Sequence, residues 1–295
     1  SSLPGMIMNG GTNYYPTRDE AIEYLKAYES KYHLPVRRQI EVTDVRKVDE
    51  RFHVETSIGI LTSRIIVSAT GSFNNPYVPH FNGIEKFTGE ILHSSQYESP
   101  LPFENKRVAI IGEGNSGAQI LAEVSKASET LWITQKEPRF LADHIDGRFL
   151  FDAATQMYEA KKAGKQYKPP SLGDIVMIES VKDARAREVL KSVRPFDHFT
   201  EHSLVWEDGH EENIDAVIFC TGFRPSLTHL KSLDVINEDG KADTIGTKSK
   251  KVAGLWLVGY GNWTGFASTT LIGVGRSAKK TVGEIEAFVG QPLKQ

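Results

Sequence analysis

The stretch KRVAIIGEGNSGAQILAEVSKASETLWIT, residues 106–134, decides the fold. Val108 to Ile111 is an unbroken apolar run, the pattern of a strand buried on both faces. Asn115 to Lys126 carries helical spacing, and Thr130 to Thr134 reads as a second strand. Between the first strand and the helix stands Gly112-Glu113-Gly114-Asn115-Ser116-Gly117, a GxGxxG in its required strand–turn–helix–strand setting. Gly112 makes the tight turn, Gly114 lets a pyrophosphate approach the backbone, and Gly117 lets helix and strand close up. The helix start then offers unsatisfied N–H groups and the positive end of its dipole to a phosphate.

The end of the second strand bears on which dinucleotide binds. An Asp or Glu there would hold a ribose 2′-OH. The chain has Thr134-Gln135-Lys136 instead. An amide and a cation suit a 2′-phosphate, so NADPH is favoured, with NADH as the alternative. Arg139 is a further phosphate candidate, and a merely solvated lysine is the plain reading of Lys136.

Upstream, Thr17 to Tyr32 predicts a helix with Thr17 as N-cap and Glu20 completing a capping box. The period then changes to two through QIEVTDVRKV (39–48), FHVETSIG (52–59) and ILTSRIIVSATG (60–71), a meander ending in an apolar strand and a Gly turn. Downstream, GRFLFDAATQMYEAKKAGKQY (147–167) and SVKDARAREVLKSV (180–193) predict two amphipathic helices around the turn KPPSLGD (168–174). Strand patterns return in 203–223 and 254–265, and a helix closes the chain over 268–288, with Ser268 or Thr269 as its cap. Two apolar strands end alike, at Thr70-Gly71 and at Thr221-Gly222. Singly each is a turn; as a pair bracketing the GxGxxG unit, they predict a chain that leaves one domain for a second and returns.

The totals agree. A chain of 295 residues favours two domains, and 39% hydrophobic and 25% charged residues with a net charge of -3 describe a globular protein. The balance suits neither nucleic acid nor disorder, and no apolar run or signal pattern suggests a membrane. One cysteine, Cys220, supplies neither an internal disulfide nor a CxxC pair. A cytoplasmic enzyme acting on a small molecule, with homodimer formation open, is the expectation, and no metal site is read.

Just before the glycine motif stands FTGEILHSSQY, residues 87–97. Phe87-x-Gly89-x-x-x-His93-x-x-x-Tyr97 resembles the FxGxxxHxxx(Y/F) signature of flavin-containing monooxygenases, which precedes their NADPH-binding GxGxxG. The order YPxR, ATG, signature, GxGxSG, second TG turn and Gly-rich terminal helix is similar too, and covers essentially the whole chain. Physically the signature reads as a hinge and brace on the linker between two domains, and a lone His such as His93 is more commonly structural than a base.

The resemblance implies an α/β fold of two Rossmann-like three-layer domains. An NAD(P)H domain (104–222, helical insertion near 146–195) is inserted into a discontinuous FAD domain (1–103 and 223–295). It implies FAD and NADPH as cofactors, O2 as co-substrate, and oxygenation of a sulfide or amine through a C4a-hydroperoxyflavin. The FAD surface would include Val42, Thr70, Gly71, Gly261, Asn262, Thr270 and Leu271; the NAD(P)H surface adds Thr221 and Gly222 to the glycine motif. No catalytic side chain is assigned. The family's other GxGxxG would precede Ser1, so the chain is expected to be a fragment, or else a remnant that binds NAD(P)H without turnover. A flavin disulfide reductase shares the nucleotide turns but needs the cysteine pair that Cys220 alone cannot supply.

Overall fold

A computed structural model describes residues 2–9, 16–145, 156, 159–160, 163–165 and 174–290. The chain forms two compact units, Ser1–Asn74 with Pro225–Gln295, and Asn75–Arg224.

In the first unit, helix α1 (Arg18–Lys31) opens on the expected capping box: the Glu20 N–H donates to Thr17 Oγ1 and the Thr17 N–H to Glu20 Oε2. Tyr24 and Tyr28, one turn apart, face the preceding loop, where their hydroxyls donate to Met6 O and Pro4 O. Strands β1 (Val42–Val48), β2 (Arg51–Thr56) and β3 (Gly59–Ser63) form the predicted antiparallel meander, in the order β1-β2-β3. Strand β4 (Ile66–Ser68) leaves it for a different sheet.

The second unit is built on a five-stranded sheet. Its elements in chain order are β5 (Glu90–His93), β6 (Arg107–Ile111), helix α2 (Asn115–Val124), β7 (Glu129–Ile133), helix α3 (Glu179–Ala186), β8 (Ser192–Val193), β9 (His198–Phe199), β10 (Ser203–Val205), β11 (Glu211–Asn213) and β12 (Ala216–Phe219). The sheet order is β5-β12-β6-β7-β8, parallel throughout. Period-two alternation decides what each face meets. Val108, Ile110, Ala216 and Ile218 pack on α2 and α3 through Leu121 and Val181. Ala109, Ile111, Val217 and Phe219 pack on Phe199 and Leu204 of the small antiparallel sheet β9–β11 and on Trp206, just after β10. The result is three layers, with helices on one side and a second sheet on the other.

Two boundaries differ from those read in the sequence. The unit begins at Asn75 rather than 104, because β5 joins the sheet beside β12 with Glu90 opposite Ala216 and His93 opposite Phe219. The helix expected over 180–193 ends at Ala186, and Ser192 and Val193 become an edge strand against Trp132 and Ile133. Glu188, at φ +60°, makes that break. The other expected helix and turn, 147–167 and 168–174, lie almost wholly outside the described residues.

Back in the first unit, β13 (Thr244–Ile245), β14 (Lys248–Ser249) and β15 (Leu255–Leu257) join β4 in the order β13-β14-β15-β4, with β15 and β4 parallel. Leu255 and Leu257 face Val45, Phe52 and Val54 of the meander. Trp256 faces the closing helix α4 (Leu271–Val289): its indole N–H donates to Glu284 Oε2 (3.0 Å) and its ring meets Phe288 edge-on. Thr270, not Ser268 or Thr269, caps α4, accepting the Gly273 N–H.

Candidate functional site

The three glycines of the motif carry separable duties. Gly112 sits at φ +134°, and a Cβ there would stand 2.3 Å from the Cys220 carbonyl oxygen. A Cβ on Gly117 would stand 2.3 Å from Gly112 O, which also accepts the Trp132 indole N–H at 2.9 Å. Both positions are closed to any side chain because the turn is packed between β6, β12 and α2. Gly114 is different: no heavy atom lies within 4 Å of where its Cβ would be. It is the N-cap of α2 and makes no side-chain cap bond, so the helix start opens into free space.

That space belongs to a cleft of about 400 Å3 at the carboxyl ends of the parallel strands, the usual ligand position in such sheets. Of the residues expected to bind NAD(P)H, Gly112, Glu113, Gly114, Gln135, Thr221 and Gly222 line it together. The Asn115 amide ties the helix start to the returning chain, donating to Asp174 O (3.2 Å) and accepting the Val176 N–H (2.8 Å). Ser116 is exposed at the same helix start. Glu113 Oε2 accepts the Gln135 N–H (3.3 Å), and the Thr221 hydroxyl donates to Tyr77 O.

Three apolar lining groups carried no sequence signal: Tyr77, Pro79 and Phe81. Tyr77 is placed by its N–H to Gly222 O (2.9 Å) and by the Arg224 guanidinium, 4.0 Å over its ring. A second, polar cleft of about 480 Å3 shares Thr134, Gln135 and Pro195 with the first and adds Lys136, Lys191 and Arg194. Lys191 and Arg194 flank β8, Lys191 inside the stretch 180–193 expected to be helical and Arg194 just after it. Arg139, by contrast, does not line that cleft; its largely exposed side chain pairs with Asp174 Oδ1 at 3.1 Å.

The signature residues are a brace inside the second unit, and none of them lines the cleft. Phe87 packs on Phe199, and Gly89 has no room for a Cβ, which would lie 2.4 Å from Phe87 Cζ and 2.5 Å from Asp215 O. His93 is buried; its Nε2–H donates to Gly222 O (2.9 Å) while Nδ1 accepts the Ser95 N–H (3.1 Å). Burial holds its pKa below the usual imidazole value, so the ring is a neutral strut under the Gly222 turn. The Tyr97 hydroxyl donates to Glu123 Oε2 of α2 (3.0 Å), and burial, with that carboxylate, pushes the phenol well above its ordinary pKa. The expected linker hinge is thus a bracket joining β5, β12 and α2.

The first unit gathers the other expected residues at the ends of β4 and β15. Thr70 bonds Tyr260, and Gly71, at φ +63°, has open space over it. Gly261 is tied at both its N–H and its carbonyl to the Ser268 hydroxyl, while Asn262 is exposed. Thr270 and Leu271 begin α4. Val42 stands apart from these, exposed at the start of β1 in the meander sheet. The lone thiol, Cys220, is buried and pushed up to about 12 by desolvation, an inert side chain rather than a redox group. Among the described residues, no helix is long and apolar enough to cross a membrane.

A family model described as pyridine nucleotide-disulphide oxidoreductase matches residues 4–259. The chain is 30% identical to an uncharacterized CzcO-like oxidoreductase of Geobacillus kaustophilus, covering 97% of this chain and 82% of that protein. It is 27% identical to an indole-3-pyruvate monooxygenase of Oryza sativa, over 92% and 74%. The solved flavin-containing monooxygenase from Stenotrophomonas maltophilia superposes with a TM-score of 0.87 at 46% identity, over 98% of this chain and 83% of that one. With the glycine turn, the three-layer units and the signature already in place, these likenesses show that the chain belongs to the pyridine nucleotide-disulphide oxidoreductase family, among its flavin-containing monooxygenases, which work with flavin and nicotinamide cofactors.

Proposed function

We propose that the protein is an NADPH-dependent FAD monooxygenase that oxygenates a soft nucleophile, a sulfide or an amine, by the hydroperoxyflavin route. The observation that carries the nicotinamide half is the contrast within the glycine turn: two positions sealed by backbone, and Gly114 open over the cleft. In this reading the pyrophosphate lies over Gly114 and the start of α2. Ile133, Pro79 and Phe81 give an apolar floor that excludes water around the bound coenzyme.

The 2′-phosphate is assigned to the second cleft. Lys136 is exposed there, and the Arg194 guanidinium forms an exposed ion pair with Asp208. Such surface pairs are worth about 0–1 kcal/mol, so Arg194 exchanges partners at little cost. A guanidinium matches phosphate geometry with paired N–H donors. Arg139 is left out because Lys136, Lys191 and Arg194 line that cleft and Arg139 does not.

FAD is assigned to the first unit, with the Thr70-Gly71 turn, the Gly261–Asn262 segment and the start of α4 as its surface. The bound flavin supplies the redox chemistry; the chain's residues position it and the coenzyme. The stoichiometry is one NADPH, one O2 and one proton consumed, with one oxygen atom to the substrate and the other to water. The test is a visible spectrum of the purified protein with O2 uptake under NADPH and an organic sulfide. Flavin absorption with NADPH-dependent sulfoxide formation is expected. A colourless protein that still binds NADPH overturns the monooxygenase reading and supports a coenzyme-binding protein without turnover.

A further inference from the structure

Beneath the exposed Thr70-Gly71 turn lies a buried polar chain in the first unit. The Tyr260 hydroxyl, in a residue only 5% exposed, touches Ser68 Oγ (2.6 Å), Thr70 Oγ1 (2.7 Å) and the Thr70 N–H (3.1 Å). Ser68 Oγ also meets His229 Nε2 at 3.0 Å, and Thr70 Oγ1 meets the Ser226 carbonyl at 2.7 Å. The Ser226 N–H in turn donates to Gly71 O at 2.8 Å.

Donor accounting allows one proton order. A carbonyl only accepts, so Thr70 donates to Ser226 O. Thr70 Oγ1 must then accept from Tyr260, whose oxygen is left to accept from Ser68 and from the Thr70 N–H. Ser68 has then spent its proton, so His229 must present Nε2–H. The side-chain protons therefore run from His229 through Ser68 and Tyr260 to Thr70, and the Thr70 N–H closes back on the Tyr260 oxygen. The Tyr260 ring already fills its place by stacking on Trp263 (5.5 Å, 30°), for which a phenylalanine would serve. All three hydroxyl contacts lead to the turn and the strand end below it, so the oxygen's work is to hold that turn. Close by, the wholly buried Ser226 Oγ has no hydrogen-bond partner among the described residues.

We propose that Tyr260 is a positioning residue, whose hydroxyl locks the Thr70-Gly71 turn in the conformation that receives the flavin dinucleotide. The proposal rests on the assignment of FAD to this unit. A preformed turn spares the ligand the ordering of that backbone, so loosening it weakens binding without removing any direct contact.

The test compares wild type, Tyr260→Phe, Thr70→Val and the double variant, each stripped of flavin and titrated with FAD, and each titrated with NADPH from the same preparation. Tyr260→Phe should raise the FAD Kd about tenfold, the worth of one buried hydrogen bond, and alter the band shape of the bound flavin. The NADPH Kd should not change, since its proposed site lies in the other unit. Because Tyr260 and Thr70 act through one link, the double variant should bind FAD about as well as the weaker single variant. The proposal is overturned if Tyr260→Phe binds FAD as wild type does. It is equally overturned if FAD and NADPH affinity fall together, or if the two substitutions add in full. A wild-type protein that takes up no FAD removes the flavin assignment itself, an outcome distinct from these.

Discussion

Replacing Gly114 and Gly117 separately by alanine should split folding from binding at one turn. At Gly117 the new methyl would begin 2.3 Å from Gly112 O, roughly an ångström inside contact distance, against backbone that cannot swing aside. The helix must back away from β6, loosening the Trp132–Gly112 bond as it goes. Overpacking of this kind costs about 1–3 kcal/mol, enough to lower the urea midpoint visibly. At Gly114 the methyl enters empty space, and φ −95° with ψ −173° is extended backbone open to alanine. Stability should therefore change by no more than about 1 kcal/mol, the scale of an N-cap exchange. Coenzyme binding should fail, however, because the methyl occupies the approach to the helix amides. Losing two charge-assisted hydrogen bonds at about 1.5–3 kcal/mol each predicts a rise in NADPH Kd of roughly a hundredfold or more. Urea unfolding and isothermal calorimetry on the two variants decide the matter. If Gly114→Ala binds NADPH as wild type does, or unfolds as early as Gly117→Ala, the division of labour proposed for this turn is wrong.

Arg194→Ala should lower kcat/KM for NADPH by about 10- to 100-fold, the worth of a charge-assisted hydrogen bond, and leave NADH nearly untouched; an unchanged ratio of the two coenzymes would move the 2′-phosphate elsewhere. Lys136→Asp should shift the same ratio in the same direction, by repulsion as well as by loss of a cation. Burial depresses the folded pKa of both His93 and His229, while the unfolded chain takes up protons from about pH 6.5 downwards. The native state therefore binds fewer protons, so this contribution is fully present above about pH 6.5 and drains away as pH falls towards the depressed values. His93→Gln should flatten part of that slope in urea titrations between about pH 7 and pH 5; an identical slope would mean that His93 is not held neutral by its burial.

What the sequence made legible follows from where the information is local. A strand buried on both faces, a glycine wedged between backbones and a capping box are each fixed by a few neighbouring residues, so β6, α2 and the Thr17–Glu20 cap stand where their patterns put them. The misplacements arose where a distant partner overruled a local preference. Residues 187–193 have helical composition, but Ser192 and Val193 are drawn into an edge strand by the open side of β7, about 60 positions earlier. That same exchange brings Lys191 and Arg194 to the second cleft, and no motif at residue 194 could have announced it. The signature showed the converse case. Its spacing was plain to read, yet the reason for it was not, since Gly89 is required by the carbonyl of Asp215 and His93 by that of Gly222, both over 100 residues away. Tyr260 extends the point: in sequence it is one aromatic in a glycine-rich run, and only the carbonyl of Ser226, which cannot donate, orders the protons that give its hydroxyl a direction. Residues set by close packing against their own neighbours announce themselves in sequence, whereas those that tune a site from beneath depend on which carbonyls the fold carries to them.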